Sequence, residues 1–136
     1  YLTRNNAKFQ SPFFHEPEQV ISKETAAEMK RMLIKTVQEG TGRSARIEGL
    51  EIGGKTGTAQ IAGGTGYLKK YISSFVGFVN DDKGNSYTIG VTVINPNPIR
   101  PHYYAAQSAV PVFKEIIQNL IKLNYLSPKE DINLEN

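Results

Sequence analysis

The chain has 136 residues, 39% of them hydrophobic and 21% charged, with 16 basic against 13 acidic side chains and a formal net charge of +3. This length suits one domain, and the apolar content excludes wholesale disorder. With no cysteine there is no disulfide, thiolate metal site or cysteine nucleophile.

The mild basic excess is spread along the chain and reads as a solvated surface rather than a nucleic-acid footprint. No apolar run approaches the roughly 18 residues of a membrane-spanning helix. The start, YLTRNNAKFQ, is not a signal peptide, so a soluble polypeptide is expected. His15 and His102 stand far apart without an acidic partner at ligand spacing, and no metal site is expected.

Residues 1–21, with Pro12 and Pro17, read as extended or irregular. From Ser22 the period turns helical: Ser22 caps, Glu24 sits in the first turn, and Ala26, Met29, Leu33 and Val37 recur at helical steps. Glu39-Gly40-Thr41-Gly42 stops this helix. The period then changes to two through Ile47, Leu50 and Ile52, and Lys55-Thr56-Gly57-Thr58-Ala59-Gln60-Ile61 continues as a strand. Gly63-Gly64-Thr65-Gly66 is expected to be a flexible loop tip. Residues 71–79 and 87–94 read as strands joined by a polar turn at 80–85, hence an antiparallel hairpin. Three prolines make 95–101 a non-repetitive crossing. A second helix is predicted over 108–123, with Val110, Phe113, Ile117, Leu120 and Ile121 as its apolar stripe and Pro111 in the first turn. The charged tail 127–136 is expected to fray. The order gives an α+β fold, a three-stranded antiparallel sheet flanked by helices.

Gly53-Gly54-Lys55-Thr56-Gly57-Thr58-Ala59-Gln60 is the segment that carries chemistry. One reading is a plain strand with glycines at a bulge and threonines towards solvent. A second is a phosphate loop, since residues 49–56 (GLEIGGKT) fit G-x-x-x-x-G-K-[ST]. That mechanism needs a helix N-terminus straight after the lysine. Here Gly57, Thr58, Gly63, Gly64 and Gly66 follow, so the phosphate loop is rejected. The third is the Lys-Thr-Gly strand of penicillin-interacting serine enzymes. In it Lys55 supplies positive charge for an anionic substrate terminus and eases proton transfer. Thr56 and Thr58, two apart, share a strand face and jointly grip a carboxylate. Gly57 lets another element pack close, and the Thr58 N–H donates to an oxyanion.

Context favours the third reading. Helix, then EGTG, then Gly54-Lys55-Thr56-Gly57-Thr58-Ala59-Gln60 is followed by Lys70-Tyr71-Ile72-Ser73-Ser74-Phe75-Val76-Gly77-Phe78, then Tyr103-Tyr104, then Val110-Pro111-Val112-Phe113-Lys114-Glu115-Ile116. In this order residues 22–125, about three-quarters of the chain, resemble the C-terminal part of the transpeptidase domain of class B penicillin-binding proteins. The last two features resemble the cell-division branch. The features around Tyr71–Phe78 and Val110–Ile116 also set the chain apart from β-lactamases and low-mass carboxypeptidases, relatives within the same fold superfamily.

The resemblance implies a D,D-transpeptidase that cross-links peptidoglycan stem peptides at D-Ala-D-Ala through a serine acyl-enzyme and binds β-lactams. Lys55 and Thr58 would be its catalytic contributions, and Thr56, Gly57, Thr58 and Gln60 its substrate-binding ones, with substrate adding along the strand edge. No cofactor and no nucleic acid are implied. The expected location is the extracytoplasmic face of the bacterial inner membrane, with divisome proteins as further partners.

The family's S-x-x-K and S-x-N motifs are absent: no serine here has lysine three residues on or asparagine two residues on. The chain is therefore expected to be a C-terminal portion (1–126, then the tail) that is inactive alone, its nucleophile, membrane anchor and pedestal lying upstream. Ser73, Ser74 and His102 are read as structural. Strand 87–94 is expected to leave an edge open to the upstream part or to a second copy. A small nucleotide- or nucleic-acid-binding module is the alternative from another class.

Overall fold

A computed structural model describes residues 2–4, 7–9, 18–64, 66–95 and 104–129. Two short strands, β1 (Leu2–Arg4) and β2 (Ala7–Phe9), pair antiparallel inside the region expected to be extended or irregular. Helix α1 (Lys23–Gln38) begins where its cap demands, with the Thr25 N–H donating to Ser22 Oγ at 3.1 Å. A 3-10 turn (Arg43–Ala45) leads to β3 (Glu51–Gly63), which pairs antiparallel with β4 (Gly66–Asn80), and β4 with β5 (Ser86–Ile94). After a second 3-10 turn (Ala105–Gln107) comes α2 (Ala109–Lys122). Among the described residues the sheet order is β3-β4-β5, so β3 and β5 are its edge strands.

The three strands and the final hairpin agree with the sequence reading, and two details correct it. Residues 43–50 are not strand: the alternation of Ile47 and Leu50 belongs to a loop, and β3 starts at Glu51. Gly63 and Gly66 are not the ends of a loose tip but partners in the ladder, so β3 and β4 form one long hairpin. Glycine's weak strand propensity is overridden there by pairing already established along both strands.

Strand alternation places the core. On β5, Tyr87, Ile89, Val91 and Val93 are buried or half-buried while Thr88, Gly90, Thr92 and Ile94 are exposed. In register with them, Phe75 and Val79 of β4 and Ile52 of β3 are buried against Phe113 and Ile117 of α2. The Phe75 and Phe113 rings meet edge-on with centroids 4.7 Å apart, the arrangement that their quadrupoles favour. On the opposite face α1 covers the start of β3 over Gly53 and Phe78, and beyond it Val76 is 58% and Ile94 70% exposed.

The paired glycines opening the chemistry-bearing segment have a packing cause. A Cβ on Gly53 would stand 2.5 Å from Phe78 Cζ and 3.0 Å from the Ile34 nitrogen, and one on Gly54 2.5 Å from Phe75 Cζ. Both distances are far inside van der Waals contact, so two aromatic rings and α1 take the space that side chains would fill. Ser127–Lys129, where fraying was expected, are fastened. The Ser127 N–H donates to Asp81 Oδ2 at 3.0 Å and the Lys129 N–H to the Gly49 carbonyl at 2.9 Å, beside buried Leu126. His15, His102, Tyr103 and the tail from residue 130 lie outside the described residues.

Candidate functional site

Lys55, Thr56, Gly57, Thr58 and Gln60 all lie on β3, the edge strand beside α1. The backbone of this strand has two sides, one hydrogen-bonded to β4 and one facing outward. The Gly54 carbonyl accepts from Thr36 Oγ1 of α1, and the Thr56 carbonyl accepts from Lys55 Nζ at 3.0 Å. Residues with outward backbone groups alternate in an antiparallel ladder. Thr58 therefore belongs to the same outward set as Gly54 and Thr56, and its N–H points to the side where no described strand pairs.

The Lys55 ammonium folds along this edge, 3.5 Å from Thr56 Oγ1. Thr56 is half-buried, while Thr58 and Gln60 are exposed. One contributor escaped the sequence reading: Thr41 Oγ1 lies 2.9 Å from Thr56 Oγ1. Only its place in the EGTG stop between helix and strand signalled it. The structure thus joins Thr41, Lys55 and Thr56 in one polar cluster, with Thr58 and Gln60 further along the same edge.

Gly57 is exposed on the same strand. A Cβ there would meet only Ser74 Cβ at 4.0 Å, so among the described residues no element packs close to it. The open face around it is the one bearing Val76. Lys55-Thr56 sits in mid-strand rather than at a helix N-terminus, which removes the geometry a phosphate loop requires. No group of three His, Cys, Asp or Glu side chains among the described residues is placed to hold a metal.

Among the described residues Ser73 and Ser74 have no lysine partner. Ser73 is wholly buried, 2.5 Å from Ser108 Oγ, which in turn donates to the Tyr104 carbonyl at 2.9 Å; Ser74 is 3.5 Å from Thr92 Oγ1. A cleft of about 790 Å³, lined by Ile34, Glu39, Arg46, Leu50, Glu51 and Asp82 among others, opens at the start of β3 and includes none of the Lys-Thr-Gly residues.

Comparison with known proteins places the chain in a family. Residues 5–118 match the penicillin-binding protein transpeptidase domain. The chain is 44% identical over 96 residues to stage V sporulation protein D of Bacillus subtilis, covering 70% of this chain and 14% of that protein. It is 30% identical over 129 residues to the peptidoglycan D,D-transpeptidase FtsI of Buchnera aphidicola, covering 93% of this chain and 22% of that one. The transpeptidase domain of Burkholderia pseudomallei penicillin-binding protein 3 superposes with a TM-score of 0.68 at 33% identity, over 83% of this chain and 34% of the other. Penicillin-binding protein 3 of Mycobacterium tuberculosis, solved with ampicillin, superposes with a TM-score of 0.62 at 26% identity, over 88% and 29%. This chain spans less than a quarter of the length of the two curated relatives. On a match over most of its length, the chain belongs to the penicillin-binding protein transpeptidase family.

Proposed function

We propose that this chain forms the Lys-Thr-Gly wall of a serine D,D-transpeptidase active site. The observation that carries the reading is the edge position of β3, with its outward backbone groups unpaired by any described strand and the Lys55 ammonium lying along them. In this role Lys55 draws the substrate's terminal carboxylate and lowers the cost of anionic charge nearby. The Thr56 and Thr58 hydroxyls grip that carboxylate, and the Thr58 N–H donates to the oxyanion formed when a serine attacks the penultimate D-Ala carbonyl. Gln60 extends the edge along which the stem peptide adds as an extra strand. Gly57 leaves room for the helix that bears the serine.

The serine and its lysine base are not in these 136 residues in S-x-x-K form, so the chain acts with chain outside them and is inactive alone. In this reading residues 1–126 form the C-terminal portion of the transpeptidase domain. Its partners are peptidoglycan stem peptides, β-lactams and divisome proteins at the extracytoplasmic membrane face. The cell-division role rests on kinship with proteins named FtsI. The open edge of β5 takes the upstream part of the domain or, without it, a second copy.

Intact mass after incubation with a penicillin tests the proposal. An adduct is expected on the serine-bearing segment only when this chain is present. An adduct on this chain by itself, or none in either mixture, overturns it.

A further inference from the structure

Thr36 and Thr41 make two successive rungs onto the outward side of β3. Thr36 Oγ1 donates to the Gly54 carbonyl, and two residues along the strand Thr41 Oγ1 meets Thr56 Oγ1 at 2.9 Å. The turn carrying Thr41 is itself tied down. The Gly40 and Gly42 N–H groups both donate to the Thr36 carbonyl at 3.0 and 3.1 Å, and the Arg43 N–H to Gly40 at 3.1 Å. A Cβ on Gly42 would stand 3.2 Å from Val37 Cγ2 and 3.3 Å from Phe75 Cε2, so the turn is pressed against the core. The Thr41 hydroxyl is thus presented to β3 from a fixed position.

A threonine hydroxyl has one proton to give and two lone pairs to receive. The Lys55 ammonium is a donor only, and it reaches Thr56 Oγ1 at 3.5 Å, too far to orient it well. If Thr56 spends its proton on Thr41, it has none for an anion. If Thr41 donates, the Thr56 proton is released outward and strengthened by the bond it receives. We infer that Thr41 is a positioning residue which donates to Thr56 Oγ1 and so commits the Thr56 proton to a substrate carboxylate. This rests on the Lys-Thr-Gly reading above and deepens it: carboxylate selectivity is set in part from the turn after α1.

The test uses the full-length protein and two matched thioester acyl donors, with leaving groups ending in a carboxylate or in the neutral amide. Thr41→Val is expected to slow acylation by the carboxylate donor about five-fold, the worth of one hydrogen bond, while the amide donor changes less than about two-fold. Thr41→Ser is expected to restore the parent rate. Equal slowing of both donors, or of neither, overturns the inference. Thr56→Val separates it from the reading beneath. If Thr56→Val loses the carboxylate preference and Thr41→Val does not, only the inference fails; if Thr56→Val keeps the preference, the carboxylate clamp itself fails. Should Thr41→Val not fold, Thr41→Ala is read in its place, and loss of the fold in both makes the bridge structural and overturns the inference.

Discussion

The Thr36 hydroxyl bonds the Gly54 carbonyl, joining the last turn of α1 to the outer side of β3 across 18 residues of sequence. The same hydroxyl also lies 2.8 Å from the Leu33 carbonyl, inside its own helix, so its one proton is shared between two carbonyl acceptors. The bond to Gly54 fixes how far along β3 the helix sits. It therefore sets where the covered part of the edge ends and the open part, from Thr58 on, begins.

Removing this link has a defined consequence. Thr36→Val keeps the shape but leaves the Gly54 carbonyl without its partner, at a cost of about 1–2 kcal/mol. Chemical denaturation is expected to show a lower midpoint. Acylation of the full-length protein should slow as well, because the helix end that presents Thr41 loses its anchor.

The glycines of β3 are expected to separate fold from function. Gly54→Ala drives a methyl group into Phe75 and to 2.9 Å from the Val76 carbonyl, and overpacking of this kind costs about 1–3 kcal/mol. Gly57→Ala meets only Ser74 at 4.0 Å. It should leave the thermal midpoint unchanged or slightly higher, since glycine within a strand costs about 0.5–1 kcal/mol relative to alanine. In the full-length protein the same Gly57 variant is expected to lose penicillin acylation. Retained acylation would show that nothing packs against that position.

Asp81 is expected to confer acid sensitivity. The Asn85 side chain, with the backbone N–H groups of Asn85, Ser127 and Lys83, holds its carboxyl at about 2, against an ordinary 3.8. A lowered folded-state pKa means the stabilisation is fully present above the ordinary value and is lost as pH falls from about 3.8 through about 2. Glu51 acts in the same direction, lowered by the Lys30 ammonium 2.6 Å away and by Asn80. Asp81→Asn is expected to flatten the loss of thermal stability between pH 5 and 2 (on the order of those ordinary and shifted values). An unchanged slope would assign the acid limb elsewhere.

Ser73 is expected to be structural. Ser108 gives its proton to Tyr104, so Ser73 donates to Ser108 and clips β4 to the start of α2. Ser73→Ala removes that bond at a cost of about 1 kcal/mol and strands no donor. Differential scanning calorimetry should record the drop, while penicillin adduct formation by the full-length protein stays at the parent level.

Much of this was legible in the residues. Ser22 as a cap, the 3- and 4-residue steps to Val37, the alternation along β5 and the stripe through Phe113 and Ile117 are local periodicities, imposed by backbone geometry on whichever face must leave water. The Lys-Thr-Gly segment and its order relative to the helices were likewise readable, because a strand puts Thr56 and Thr58 on one face at any position in a fold. Tertiary structure alone decided the rest. Nothing local says that Phe75 and Phe78 occupy the space over Gly54 and Gly53, that Gly63 and Gly66 pair, that Ser127 returns to Asp81, or that Thr41 meets Thr56. Each of these depends on strand register and on where the chain reverses, and both are settled by the burial of the whole core at once rather than by any one residue's preference.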